Sequence, residues 1–157
     1  LLGGAVESAI LLLALISTIM ALGRFFAGQL VHRINPVGVL LMSSIFAALG
    51  IYVLSLVSSS GMTVVGAVLF AIGITYFWPT MLGFCSEYIP RTGALGLSLL
   101  GGAGFVSASM FMPVMGKILE ESGTSVALQS VGILPIIMIV GFAILFVVYR
   151  KKKPEVL

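Results

Sequence analysis

The stretch Gly23-Arg24-Phe25-Phe26-Ala27-Gly28-Gln29-Leu30-Val31-His32-Arg33-Ile34-Asn35-Pro36-Val37-Gly38-Val39-Leu40-Leu41 decides the fold. Its centre, His32 to Pro36, cannot continue a helix. Asn35 favours a turn, and Pro36 disfavours helical geometry in the residue before it. On both sides the sequence is almost uncharged for about twenty residues, enough to cross a bilayer at about 1.5 Å per residue. Arg24, His32 and Arg33 therefore read as the place where one helix leaves lipid and the next re-enters.

Composition agrees. The 157 residues are 60% hydrophobic and only 8% charged, where a soluble domain carries roughly 25% charge. No water-soluble core hides that much apolar surface, so the chain is an integral protein of the lipid bilayer. The basic residues are few and lie at segment ends, which argues against nucleic acid. The single Cys85 excludes a disulfide within the chain and a cysteine-rich metal site. No metal-ligand cluster and no cofactor motif is present. No signal-peptide pattern follows the first residue, which is not Met, and the chain reads as cut from a longer protein.

An all-α polytopic membrane bundle of five spanning helices is expected, over about 5–31, 37–57, 62–86, 93–119 and 128–149, followed by a basic tail at 151–157. The connections are short, so neighbouring helices are antiparallel. The apolar runs are too long for barrel strands and do not alternate. Positive charge falls on one side of this arrangement. Arg24, Arg33, Arg91 and Arg150 to Lys153 share it, and Lys117 lies opposite beside Glu120 and Glu121. That asymmetry puts the first turn, the Arg91 connection and the tail in the cytoplasm and the N-terminus outside.

The helices differ in their faces. The second and fifth are apolar nearly all round and can face lipid. The first carries a seam at helical spacing, Gly4, Glu7, Leu11, Ala14, Thr18, Ala21, Phe25 and Gly28. The third aligns Gly73, Tyr76, Thr80, Gly83 and Glu87, and the fourth is rich in Gly, Ala and Ser. Small residues let backbones approach and polar ones must face protein or water, so these three helices form either an interior cavity or packing faces. Pro79, Pro113 and Pro135 each remove a backbone bond and are expected to kink or interrupt their helices. Thr75-Tyr76-Phe77-Trp78-Pro79-Thr80 thereby concentrates hydrogen-bonding groups and aromatic rings at mid-bilayer. Glu7, near the start of the first apolar run, reads as a first-turn acid. A hydrolase is excluded by geometry, since the Ser58–Ser60 cluster and His32 lie on opposite sides, and no enzyme activity is expected.

Two segments carry a family resemblance. Gly28-Gln29-Leu30-Val31-His32-Arg33 resembles the loop signature G-x-L-x-D-R-x-G-R-R of the major facilitator superfamily (MFS), with His32 in place of the acid and Asn35 in place of a glycine. Ser86-Glu87-Tyr88-Ile89-Pro90-Arg91 is similar to the S-E-x-x-P segment of sugar-porter-like members. The resemblance implies helices eight to twelve of a transporter built from two six-helix halves, with the N-terminal half as partner, in a bacterial inner membrane. It implies a secondary active or facilitative transporter of small polar solutes, sugars or related metabolites, working by alternating access as a symporter or uniporter. The substrate-binding candidates are Tyr76, Thr80, Trp78 and Thr18. The gating candidates are Arg33, Glu87, Arg91 and Gly28, with Glu87 and Arg91 placed to pair if that turn stays helical. The rival expectation is a membrane bundle that does not transport and serves as an assembly or receptor-like partner.

Overall fold

The computed structural model describes residues 2–33, 35–56 and 59–149, with side chains placed for 8–27, 35–56 and 59–148. Five helices result: α1 (Leu2–Arg33), α2 (Pro36–Ser55), α3 (Ser60–Thr75), α4 (Phe77–Tyr88) and α5 (Gly93–Tyr149), with a 3-10 turn at Pro90–Thr92 before α5. No strand occurs among the described residues. Four stretches are long and apolar enough to cross a membrane: Ser8–Ala27, Pro36–Ser55, Ser60–Tyr88 and Pro90–Val148.

The polar turn is shorter than expected: α1 continues through His32 and Arg33, and α2 begins at Pro36. The Asn35 side chain accepts a hydrogen bond from the Val37 N–H at 3.0 Å, and Pro36 takes the first helical position, where a missing N–H costs nothing. Ser59 caps α3 in the same way, accepting from Met62 N–H at 3.4 Å.

Close backbone approaches set the registers. A Cβ on Gly73 would strike the Ala47 backbone, one on Gly50 the Phe70 backbone, and one on Gly66 would lie 2.8 Å from Leu54. Each step up α2 matches a step down α3, so the pair is antiparallel and held by van der Waals packing of small residues. Helix α1 runs parallel to α3. Ser8, Leu11 and Leu12 share a cavity with Ser60, Thr63 and Val64, and Gly23 meets Thr75 and Tyr76.

Helix α5 is formally 57 residues long, but Gly123 inside it has φ 79 and ψ 174, a conformation open essentially to glycine alone. Leu100 and Phe142 line one cavity, whereas along an unbroken helix they would stand about 60 Å apart. The chain therefore reverses at Gly123, into a first limb over 93–122 and a second over 124–149. The second limb lies antiparallel to α2, with the Ser125 hydroxyl donating to the Ser55 carbonyl at 3.2 Å and Gly132 beside Ile51. With α3 and α4 forming one stretch, the described chain runs as five helical segments across the bundle. The expected connection over 120–127 is corrected to one non-helical residue.

Pro135, expected to interrupt its helix, does not. Pro113 and Pro135 sit inside helical backbone, and Gly123 is the non-helical residue within α5. Losing one backbone bond bends a helix, but the remaining N–H groups in lipid stay bonded only if the helix continues. Pro79 kinks its helix at Tyr76, whose backbone stays near helical (φ −93, ψ −9), because the proline ring presses on the Thr75 carbonyl and supplies it no N–H; the Thr80 N–H still bonds the Tyr76 carbonyl at 3.1 Å.

Helix α2 buries one face, with Val37, Val39, Leu40, Ser44, Ala47 and Ile51 enclosed, and leaves Met42, Ile45, Leu49 and Tyr52 exposed on the other, as a helix able to face lipid does. A helix apolar all round reads the same whether lipid or protein surrounds it. The first limb of α5 is largely exposed within this chain, and Gly102, Gly104 and Gly116 face open space.

Candidate functional site

The break at Tyr76 organises the middle of the bundle. Tyr76 separates α3 from α4, and its hydroxyl lies 3.5 Å from where a Cβ on Gly23 would stand. Gly23 is therefore required small, and a tyrosine hydroxyl is held against α1 at the depth of the break. One residue earlier, Thr75 is buried, and its hydroxyl is occupied by the Ala71 carbonyl at 2.5 Å. Such back-bonding is the usual way a hydroxyl is satisfied in an apolar helix, and Ser44 does the same with Leu40 at 2.8 Å.

Thr80 is the exception. It is fully enclosed, at 0% exposure, and its hydroxyl oxygen has no hydrogen-bond partner. It touches no opening in this conformation, although the sequence reading placed it beside Tyr76 on one binding face. Trp78 projects elsewhere, at 43% exposure, with its ring edge 3.9 Å from where a Cβ on Gly101 would stand. Thr18 is exposed on α1 with its hydroxyl bonded to the Ala14 carbonyl at 2.8 Å. The four substrate candidates thus do not converge on one cavity. Tyr76 faces α1, Trp78 faces the first limb of α5, Thr80 is internal and Thr18 lies on the exposed side of α1.

Among the gating candidates, Glu87 is half-buried near the end of α4, and Arg91 is exposed in the 3-10 turn. The backbone leaves helix at Ile89 (φ −135, ψ 51), so the two are not one helical turn apart on a continuous helix. Gly28 and Arg33 fall in helical backbone, but their side chains lie outside the described residues, as do those of Glu7 and His32. The basic tail over 151–157 is likewise outside them.

Arg24 is the residue the sequence reading misplaced. Its charge reads as the exit of the first helix, yet α1 continues to Arg33, and Gly23 beside it packs at Thr75 at the α1–α3 crossing. The signal was present in the sequence as an uncharged run continuing past Arg24 to Val31.

A cavity of about 310 Å³ lies toward the Arg91 end, lined by Val37, Leu40, Phe84, Cys85, Leu100 and Phe142 among others. Its walls are almost entirely apolar, so it suits hydrocarbon better than a polar solute. Among the described residues no group of His, Cys, Asp or Glu is placed to hold a metal ion.

The family model of the Major Facilitator Superfamily matches residues 2–157. The chain belongs to that superfamily, whose members are membrane transporters rather than enzymes and handle small-molecule substrates in a lipid bilayer. No curated protein and no solved structure matches it.

Proposed function

We propose that the chain supplies helices eight to twelve, most of the C-terminal half, of a secondary active or facilitative transporter for small polar solutes. It works with a second six-helix half by alternating access. The observation that carries this reading is the superfamily match over residues 2–157 on a bundle whose helix α3/α4 breaks at Tyr76 in mid-span. Broken helices place free backbone carbonyls and side-chain hydroxyls at membrane depth, where a solute that has shed water needs partners. Tyr76 is proposed as a binding residue, supported by its hydroxyl held against α1 at Gly23, and Trp78 and Thr18 lie on surfaces that a second half can close upon. Thr80, enclosed and unpartnered, becomes available when α4 moves about the break. Glu87, Arg91 and Arg33 gather at the end proposed to face the cytoplasm, where with Gly28 they steady the closed inner gate.

Reconstitution of the full-length protein in liposomes tests this. Saturable uptake should be weakened about tenfold in affinity by Tyr76→Ala, with membrane insertion unchanged. A protein that inserts but moves no solute from a broad panel of sugars, carboxylates and phosphorylated metabolites contradicts it and favours a bundle that only assembles with partners.

A further inference from the structure

Helix α2 sets a depth scale. Its 20 residues carry no charge, and at 1.5 Å each they span about 30 Å, the thickness of the hydrocarbon core. Its midpoint falls between Ile45 and Phe46, and Ala47 packs on Gly73. Gly23 packs at Thr75, two residues further on. Arg24 therefore lies within about 5 Å of the membrane midplane, far from either surface.

A guanidinium at that depth is tolerated only with a counter-charge or facing a water-filled cavity. The chain offers no counter-charge there. Its five acids are Glu7, Glu87, Glu120, Glu121 and Glu155. Glu7 stands about 25 Å away along the same helix, and Glu87 about 18 Å beyond Thr75 along α4. Glu120 and Glu121 lie beside the Gly123 turn, and Glu155 is outside the described residues. Arg24 is exposed, on the α1 face that carries the exposed Ala21 and Ser17 one and two turns before it. That small, polar face suits a cavity rather than lipid tails. The Tyr76 hydroxyl is held at the same depth against Gly23, the preceding residue.

The geometry points to Arg24 as the anchor for an oxyanion of the transported solute, a carboxylate or phosphate gripped by the two-pronged guanidinium, with Tyr76 as a neighbouring hydrogen-bond donor. The inference rests on the transport reading above and narrows its substrate class from polar to anionic.

Matched solute pairs test it in the full-length protein: gluconate against glucose, glucose 6-phosphate against glucose, and succinate against its diamide. Thermal stabilisation of the purified protein reads binding, and liposome uptake reads transport. The expected result is that the charged member of at least one pair stabilises the protein and is taken up, while its neutral partner is not. Arg24→Gln should then weaken that binding at least tenfold, and Arg24→Lys should recover part of it. Arg24→Lys also serves if Arg24→Gln does not fold. Uptake of neutral solutes at parental rate in Arg24→Gln overturns the inference but leaves the transport reading standing. Binding of an anion that is unchanged in Arg24→Gln, or the absence of any response to the anions, also overturns it. Absence of uptake for every solute of either charge instead removes the transport reading itself.

Discussion

Single residues carry the tightest constraints in this bundle, and the glycines at helix crossings carry most of them. A side chain on Gly73 meets the Ala47 backbone, which no rotamer can relieve, whereas Gly83 faces open space. Gly73→Val should destabilise the folded bundle by about 1–3 kcal/mol through overpacking, and Gly83→Ala should not, as measured by unfolding in mixed detergent micelles. Thr80 makes the opposite prediction. Its enclosed, unpartnered hydroxyl is a desolvated polar group with nothing in return, so Thr80→Val should stabilise this conformer by about 1 kcal/mol. A rise in melting temperature with slower transport checks it, since favouring one state slows a cycle between two. The sequence showed that Tyr76 and Thr80 are spaced to share one face of a straight helix. It could not show that the fracture from Pro79 appears at Tyr76, which turns the hydroxyl of one to α1 and encloses the other. Arg24 was legible as a charge but not as a deep one, because depth depends on the Gly23–Thr75 crossing, a contact between residues far apart in the chain.

Elements followed the sequence more closely than their surroundings did. The turn at Asn35 and Pro36 is a local event, decided by residues within four positions, and α2 starts there as the sequence indicates; the Ser59 cap of α3 is equally local but was not among the sequence expectations. The connection over 120–127 was misread, because a single glycine with φ 79 reverses the chain without the polar loop that the reading sought. Gly123→Val should strain that residue by about 1–3 kcal/mol and spread the two limbs of α5. In a Cys85→Ser background, crosslinking of Leu100→Cys to Leu145→Cys should fall sharply when Gly123→Val is added. Undiminished crosslinking would mean that the limbs are held together by their packing alone. Helix α2 combines a buried face with an exposed apolar stripe of Met42, Ile45, Leu49 and Tyr52, a division its uniform hydrophobicity did not show. Uniform hydrophobicity does not distinguish a lipid-facing helix from a central one, and a seam of small residues does not say which partner it meets.

At the scale of the whole molecule, the bundle has two ends whose membership follows from its registers. Ser59 and Ser122 lie toward one end, and Asn35 and Thr92 toward the other, because α2 is antiparallel to both α3 and the second limb of α5. Single cysteines at Asn35 and Thr92 should react with an impermeant thiol reagent from one side of the membrane, and at Ser59 and Ser122 from the other. The positive charges around the first turn favour the cytoplasm for the Asn35 side. The central claim is that a water-filled site opens at mid-membrane beside Arg24 and Tyr76. The most direct measurement is the reactivity of Ala21→Cys, one turn before Arg24, in the full-length protein without Cys85, toward a charged, membrane-impermeant thiol reagent. The account predicts labelling from water at a rate far above that of a cysteine at the exposed, apolar position Val140, and protection by a bound solute. Equal, negligible labelling at both positions would place Ala21 in lipid and contradict it.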